Sequence, residues 1–219
     1  RVGNEAAEAT RRGNYGWFLL VTGRPQQAQS TIEYALRASQ QFGLELAAAI
    51  QTDNLGLIQD AQGSYPRALE LHDEALRHIQ AAGNLHWEHL IQMNRAQTLL
   101  SLNRAAETGT LFESALAYAR PVEDVEVIIR ALCGLANLAV REGKAGESGG
   151  QINEAVQLAR RADLRRLLAE ALSLRAEAQA AGGHREEAAR AWSEAQKLYA
   201  MLQAPQARMQ PSWLQPGSV

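Results

Sequence analysis

The sequence predicts an all-α fold, a right-handed α-solenoid built from five antiparallel helix pairs. A residue type that ends helices recurs every 40 residues, at Gly23, Gly63, Asn103, Gly143 and Gly183. The segments between these breaks are rich in Ala, Leu, Glu, Gln and Arg, which favour helices, and none alternates as a strand would. Because the connection at each break is short, the two helices of a pair must run antiparallel.

Small residues keep the same period around each break. Alanine lies twelve residues after every break, at Ala35, Ala75, Ala115, Ala155 and Ala195. Gly or Ala lies seven residues before it, at Gly16, Gly56, Ala96, Ala136 and Ala176. A small residue lies five residues after it, at Ala28, Ala68, Thr108, Ser148 and Ala188. A mostly large residue lies nine after it, at Ile32, His72, Phe112, Ile152 and Trp192. Small residues let two helices approach closely while large ones fill the space around the crossing, so the pattern predicts a closely packed stack.

The period also sets the expected boundaries. We expect helices at 5–22, 25–42, 45–62, 65–82, 85–102, 104–120, 123–142, 145–161, 164–181 and 185–202. The five repeats then cover about 5–42, 45–82, 85–120, 123–161 and 164–202, with Gly43, Gly83 and Pro121 at joints. Gly149 and Gly150 should weaken the start of their helix. One repeat domain over 1–202 and a flexible tail over 203–219 are expected, and the start at Arg1 suggests a piece of a longer protein.

Composition argues against several functions. The 22 basic and 24 acidic residues give a net charge of −2, so no excess of positive charge is present for direct nucleic-acid or membrane-surface binding. No apolar stretch approaches the ~20 residues of a membrane helix. Cys133 is the single cysteine, which excludes an internal disulfide and favours a cytoplasmic setting.

The segment from Asn54 to Leu76 resembles a tetratricopeptide repeat. Its Asn54-Leu55-Gly56, Gly63-x-Tyr65, Ala68 and Ala75-Leu76 fall where that family's motif has them. The likeness is weaker elsewhere, and the period of 40 is longer than the family's usual 34. The resemblance implies a superhelix whose concave surface, lined by the first helix of each pair, holds a peptide.

The resemblance also implies that an asparagine on each first helix faces this groove and clamps a peptide backbone. Asn14, Asn54 and Asn94 share one repeat position, and Asn137 lies one turn beyond Gly134 in the fourth repeat. An amide offers a donor and an acceptor together, so a row of amides suits main-chain recognition. The alternative is that these amides bond the neighbouring helix, and the residues leave that choice open.

Helical geometry places further side chains beside this asparagine ladder. They are Trp17, Asp53, Leu57, Asp60, Met93, Gln97, Arg130, Cys133 and Arg141. Arg130 and Arg141 lie on one helical face, where they either receive an acidic ligand or remain solvated. Cys133 is expected to be buried and inert rather than reactive.

No arrangement of residues indicates an enzyme, a metal site or a cofactor. His86 and His89 lack a third ligand, His72 has no partner that the sequence identifies, and residues 143–150 lack the spacing of a phosphate loop. The expected function is therefore a protein- or peptide-binding module, the regulatory or sensor part of a larger bacterial transcriptional regulator or signalling protein. The alternative is a structural scaffold for self-association or multiprotein assembly, with a homodimer left open.

Overall fold

The computed structural model describes the backbone of residues 2–214 and the side chains of residues 6–214. Over these residues the protein is helical and has no β-strand. It divides into two compact units, Arg1–Thr108 and Gly109–Val219. The division falls inside the third predicted repeat, so each unit holds two complete helix pairs and one helix of the third. The all-α prediction is confirmed.

The N-terminal unit contains five α-helices and one short 3₁₀ helix. They are α1 (Val2–Val21), α2 (Pro25–Gln41), α3 (Glu45–Ala61), α4 (Tyr65–Ala82), α5 (Leu85–Ser101) and the 3₁₀ helix Ala105–Glu107. Helices α1 to α5 pack consecutively, and α5 also contacts the 3₁₀ helix that follows it. The first helices of successive pairs also meet, α1 with α3 and α3 with α5. This succession of neighbours is the packing that the repeat pattern predicts.

The C-terminal unit is built in the same way. It contains α6 (Gly109–Ala119), α7 (Val125–Arg141), the 3₁₀ helix Ala145–Glu147, α8 (Gly149–Arg161), α9 (Arg165–Ala181) and α10 (Arg185–Met201). Two 3₁₀ helices follow, at Pro205–Arg208 and Ser212–Leu214. Helices α6 to α10 pack consecutively, and α7 also contacts α9. The segment after α10 contacts that helix, since the Gln196 side chain donates to the Ala207 carbonyl at 3.1 Å.

Left-handed backbone recurs every 20 residues rather than every 40. Among the described residues, positive φ angles occur at Gly23, Gly43, Gly63, Gly83, Asn103, Glu123, Gly143, Asp163, Gly183 and Gln203. The five predicted breaks are all in this set, with φ from 59° at Asn103 to 82° at Gly183. The third joint is at Glu123, with φ of 55°, two residues beyond the predicted Pro121. The structure therefore repeats a helix and a short connection, and the α-helices have about five turns except for the shorter α6 and α8.

Hydrogen bonds at the connections explain why the helices stop there. At the second break, the main-chain amide of Gly63 donates to the main-chain carbonyl of Asp60 at 3.0 Å, and that of Ser64 donates to the main-chain carbonyl of Gln59 at 2.9 Å. This pair of bonds is the Schellman arrangement, which satisfies helix carbonyls that would otherwise lack a partner. It requires the left-handed conformation at its centre, and glycine adopts it without steric cost.

The second helices of the third and fourth pairs begin later than predicted. We expected them at 104 and 145, but the α-helices start at Gly109 and Gly149, after the 3₁₀ helices. The two repeats with a late start are those that carry a hydroxyl residue instead of alanine. Thr108 Oγ1 donates to the Ala105 carbonyl at 2.8 Å, and Ser148 Oγ donates to the Ala145 carbonyl at 2.7 Å. These bonds favour a tight local turn over a continuous α-helix.

The small positions of the repeat lie at the helix crossings. All five alanines twelve residues after the breaks are 0% exposed, and so are all five small residues that lie five after them. Glycine is needed where a second helix brings a large side chain close, because a Cβ at Gly16 would collide with Ile32. Among the described helices, none is both long and apolar enough to cross a membrane.

Candidate functional site

The second repeat carries charge at three positions that are small or apolar in the other repeats. Position 53 is Asp, whereas the sister residues are Gly13, Met93, Cys133 and Ser173. Position 60 is Asp, and its sisters are Leu20, Leu100, Val140 and Ala180. Position 72 is His, and its sisters are Ile32, Phe112, Ile152 and Trp192. The three changes occur together, which indicates that the residues act as one group.

The structure brings these three side chains together between α3 and α4. His72 Nδ1 lies 2.6 Å from Asp53 Oδ1, and His72 Nε2 lies 3.3 Å from Asp60 Oδ2. The His72 side chain is 0% exposed, that of Asp53 4% and that of Asp60 21%. Gly56 makes room for the ring, because a Cβ there would lie 2.6 Å from His72 Cε1. We call His72, Asp53 and Asp60 the charged cluster.

Helix α5 completes the bonding of both carboxylates. Asn94 Nδ2 donates to Asp53 Oδ2 at 2.8 Å, and Thr98 Oγ1 donates to Asp60 at 2.8 and 3.0 Å. The cluster therefore joins the second repeat to the first helix of the third. Bonds to charged acceptors are stronger than neutral ones, so the cluster fixes how α3, α4 and α5 sit against one another.

The cluster keeps His72 protonated at neutral pH. Burial by itself would lower the pKa of His72, but hydrogen bonds to Asp53 and Asp60 outweigh burial and raise the pKa to about 9. The cationic ring thus lies between two carboxylates with both nitrogens occupied. A fully enclosed ring cannot reach a substrate, so the geometry suits a structural cross-link and not acid–base catalysis.

The sequence contained a signal for this cluster that the periodicity argument did not use. Asp53 and Asp60 were placed beside the asparagine ladder, and His72 was left without a partner. The signal is the simultaneous departure of three repeat positions from the apolar pattern. A buried charge requires an opposite charge nearby, so the three departures had to be assigned to each other.

The asparagine ladder divides between surface and interior. Asn14 is exposed, whereas Asn54 and Asn94 are only 8% and 6% exposed. Asn54 Nδ2 donates to Gln51 Oε1 at 3.3 Å within α3, and Asn94 bonds Asp53 across helices. Of the two alternatives left open above, Asn94 thus makes the bond to a neighbouring helix. Its assignment to a ligand stays a prediction.

A different repeat position supplies the accessible row on the first helices. Trp17 and Leu57 are half-buried and Gln97 is exposed, and each lies 40 residues from the next. Met93, predicted beside them, is only 2% exposed and belongs to the core. We call Trp17, Leu57 and Gln97 the accessible row of the N-terminal unit.

The predicted residues of the C-terminal unit lie along α7. Asn137 and Arg130 are half-buried and Arg141 is exposed. Arg141 Nε donates to Asn137 Oδ1 at 3.4 Å, and Arg130 lies 3.9 Å from Glu126. Both arginines therefore have polar neighbours on their own helix, which fits the solvated alternative as well as a ligand contact.

Cys133 lies on the same helix, and burial raises the pKa of its thiol to about 12, so it remains a thiol at neutral pH.

Within the described residues, no three His, Cys, Asp or Glu side chains are arranged to hold a metal ion. Comparison with models of protein families found no match for this chain. A search of curated protein sequences likewise found none.

Proposed function

We propose that this chain is a protein- or peptide-binding repeat module of the tetratricopeptide type. In this proposal it acts in the cytoplasm as the regulatory or sensor part of a larger bacterial transcriptional regulator or signalling protein. The observation that carries the proposal is the accessible row. Trp17, Leu57 and Gln97 occupy one repeat position on α1, α3 and α5, and these helices contact one another in succession.

The spacing of packed helices matches an extended peptide. Neighbouring helices lie about 8–10 Å apart, and an extended chain advances about 3.3 Å per residue. A peptide that crosses α1, α3 and α5 would therefore present about every third side chain to one helix. Trp17 and Leu57 would take apolar side chains, and Gln97 would bond the peptide main chain. The charged cluster fixes α3 against α5, the helices that carry Leu57 and Gln97.

Selection from a random nonapeptide phage library on the immobilised chain tests this proposal. The selected peptides should carry apolar residues three apart and should lose about tenfold or more in affinity on Trp17→Ala plus Leu57→Ala, because two apolar anchors are removed. Tyr34→Ala is the matched control, since Tyr34 is an exposed aromatic residue on the second helix α2. The proposal fails if no peptide is enriched, or if the double variant binds the selected peptides as tightly as the unchanged protein.

One observation favours a scaffold function as the alternative. Tyr15 and Phe18 stack on α1 with ring centroids 6.4 Å apart and are 54% and 46% exposed. Ile58, the sister of Phe18, is 0% exposed and packs with Ala28 and Ile32 of the preceding helix α2. The corresponding face of α1 therefore resembles one that another helix covers in the next repeat.

Analytical ultracentrifugation of the full chain distinguishes the scaffold from the peptide-binding module. A scaffold that associates through α1 should sediment as an oligomer, and Tyr15→Ser plus Phe18→Ser should convert it to a monomer. Deletion of 203–219 is the comparison for association through the C-terminal segment. A chain that stays monomeric at high concentration would count against the scaffold and leave the peptide-binding proposal unaffected.

A further inference from the structure

The C-terminal unit contains a cleft between the start of α8 and the end of α9. Its volume is about 290 Å³, enough for a ligand of a few heavy atoms. Three residues in its wall are small, namely Ala145, Gly149 and Gly182. The residues two repeats earlier in the chain are large, namely Tyr65, Leu69 and Leu102. Side chains that are large two repeats earlier are thus absent from the wall of this cleft.

The cleft contains the counterpart of a charged pair of the N-terminal unit, in which a neutral amide replaces the carboxylate. Arg95 Nε lies 2.6 Å from Asp73 Oδ1, an ion pair between α5 and α4. Two repeats later the same two positions hold Arg175 and Asn153. Arg175 Nη2 donates to Asn153 Oδ1 at 2.8 Å, so the geometry of the pair is kept while its negative charge is absent. Both residues line the cleft.

No carboxylate of the described residues makes an ion pair with Arg175, whose side chain bonds the neutral Asn153. Burial lowers the pKa of Arg175, and the nearby Arg160 lowers it further, while Glu194 acts in the opposite direction. Glu194 is itself engaged by Arg160, at 2.6 Å. The cleft therefore holds a partly buried cation that an anion would stabilise.

A second polar side chain, that of Gln179, lines the same cleft. Gln179 occupies the position of Leu99, which is 0% exposed in the N-terminal unit. Its Oε1 is buried and has no hydrogen-bond partner among the described residues, and Gln179 lines the cleft. A buried acceptor without a donor costs free energy, which a ligand N–H would recover.

We infer that this cleft binds a small carboxylate ligand with a neighbouring N–H group. The carboxylate meets the Arg175 guanidinium, which offers a planar fork of donors, and the N–H donates to Gln179 Oε1. Two sources share this chemistry: an N-acylated amino acid and the C-terminal residue of a peptide. The site is separate from the accessible row, so its test does not depend on the proposed function.

Amide chemical-shift titrations of the full chain measure this binding directly. N-acetylglycine should shift the amides of Gly149, Asn153 and Arg175, with a dissociation constant on the order of 1 mM for so small a ligand. N-acetylglycinamide has the same N–H but no carboxylate and should leave these amides unmoved. A peptide with a free C-terminal glycine is then compared with the same peptide carrying an amidated terminus. This comparison shows whether the C-terminal residue of a chain enters the cleft as N-acetylglycine does.

Asn153→Asp provides the decisive variant, because it restores the carboxylate present at Asp73 in an arrangement that the protein already accommodates. It should weaken N-acetylglycine binding about tenfold or more, since the new carboxylate occupies Arg175. The matched control is Asp73→Asn, which frees Arg95 at a place where the large residues remain, and it should create no second site. Equal shifts from the acid and the amide, unchanged binding in Asn153→Asp, or no shift at all would each overturn the inference.

Discussion

The N-terminal unit should lose stability as the pH rises from 6.5 to 9. The pKa of His72 is about 9 in the folded protein, against an ordinary value of 6.5. Between these values the folded state holds the proton and the unfolded state does not, so proton binding stabilises the fold. One pKa unit corresponds to about 1.4 kcal/mol, so the difference amounts to about 3 kcal/mol. This contribution is complete below pH 6.5 and is lost as the pH passes 9.

Urea unfolding followed by circular dichroism across this pH range measures the effect, and a carbon–proton NMR titration of the His72 ring reports its pKa directly. His72→Gln is the control, because its amide still forms hydrogen bonds but does not titrate. The variant should be less stable than the unchanged protein near pH 6.5 and should lack the decline toward pH 9. Parallel declines of the two proteins, or a ring that titrates near its ordinary value, would refute the reasoning.

A comparison of partial and full removal separates the cluster from simple packing. His72→Ile leaves Asp53 and Asp60 without their cation and should cost about 3–5 kcal/mol. Asp53→Ala, Asp60→Leu and His72→Ile together place small or apolar residues at all three positions, as in the first repeat. This triple variant should be less destabilised than the single one and show no pH dependence from this site, because no buried charge remains.

Three further predictions concern the backbone and the C-terminal unit. Glu123→Gly should raise the free energy of unfolding by up to about 1 kcal/mol, while Gly63→Ala should lower it by about 1–2 kcal/mol, because both positions are left-handed. Urea unfolding measures both changes, and a less stable Glu123→Gly variant or a more stable Gly63→Ala variant would contradict this reasoning. Gly134→Ala should destabilise by about 1–3 kcal/mol, since a Cβ would collide with the Phe112 ring, and adding Phe112→Leu should recover part of the loss. Cys133 should react with a thiol reagent far more slowly than free cysteine at neutral pH and at a normal rate in urea, and fast labelling of the folded chain would show that its thiolate is accessible.

The helix succession could be predicted because its cause is local. A glycine or asparagine at a fixed interval ends each helix, and small residues at fixed distances from it set the crossings. The same reasoning missed the left-handed Glu123, Asp163 and Gln203. Glu and Gln side chains do not favour this conformation and Asp favours it far less than glycine does, so residue type alone did not identify these three positions.

The site was less predictable because it depends on contacts between repeats. Residue type placed Asn94 on the correct helix, but its bond to Asp53 joins residues 41 apart in sequence. The amide serves equally well as a ligand contact or a structural bond, and only the position of the carboxylate decides between them. For the C-terminal cleft, the informative comparison is Asn153 with Asp73, which becomes visible only when residues two repeats apart are aligned.

The charged cluster limits how the repeats of this chain can be rearranged. A block of 40 residues can in principle be removed or duplicated between two left-handed positions, because each junction then joins the same backbone conformations. The second repeat is an exception, since its carboxylates receive bonds from Asn94 and Thr98 of the next helix. If α5 were exchanged for another first helix, Asp53 and Asp60 would lose these donors. The second repeat and α5 must therefore be transplanted together, so a chain of changed length is feasible while a changed order at this junction is not.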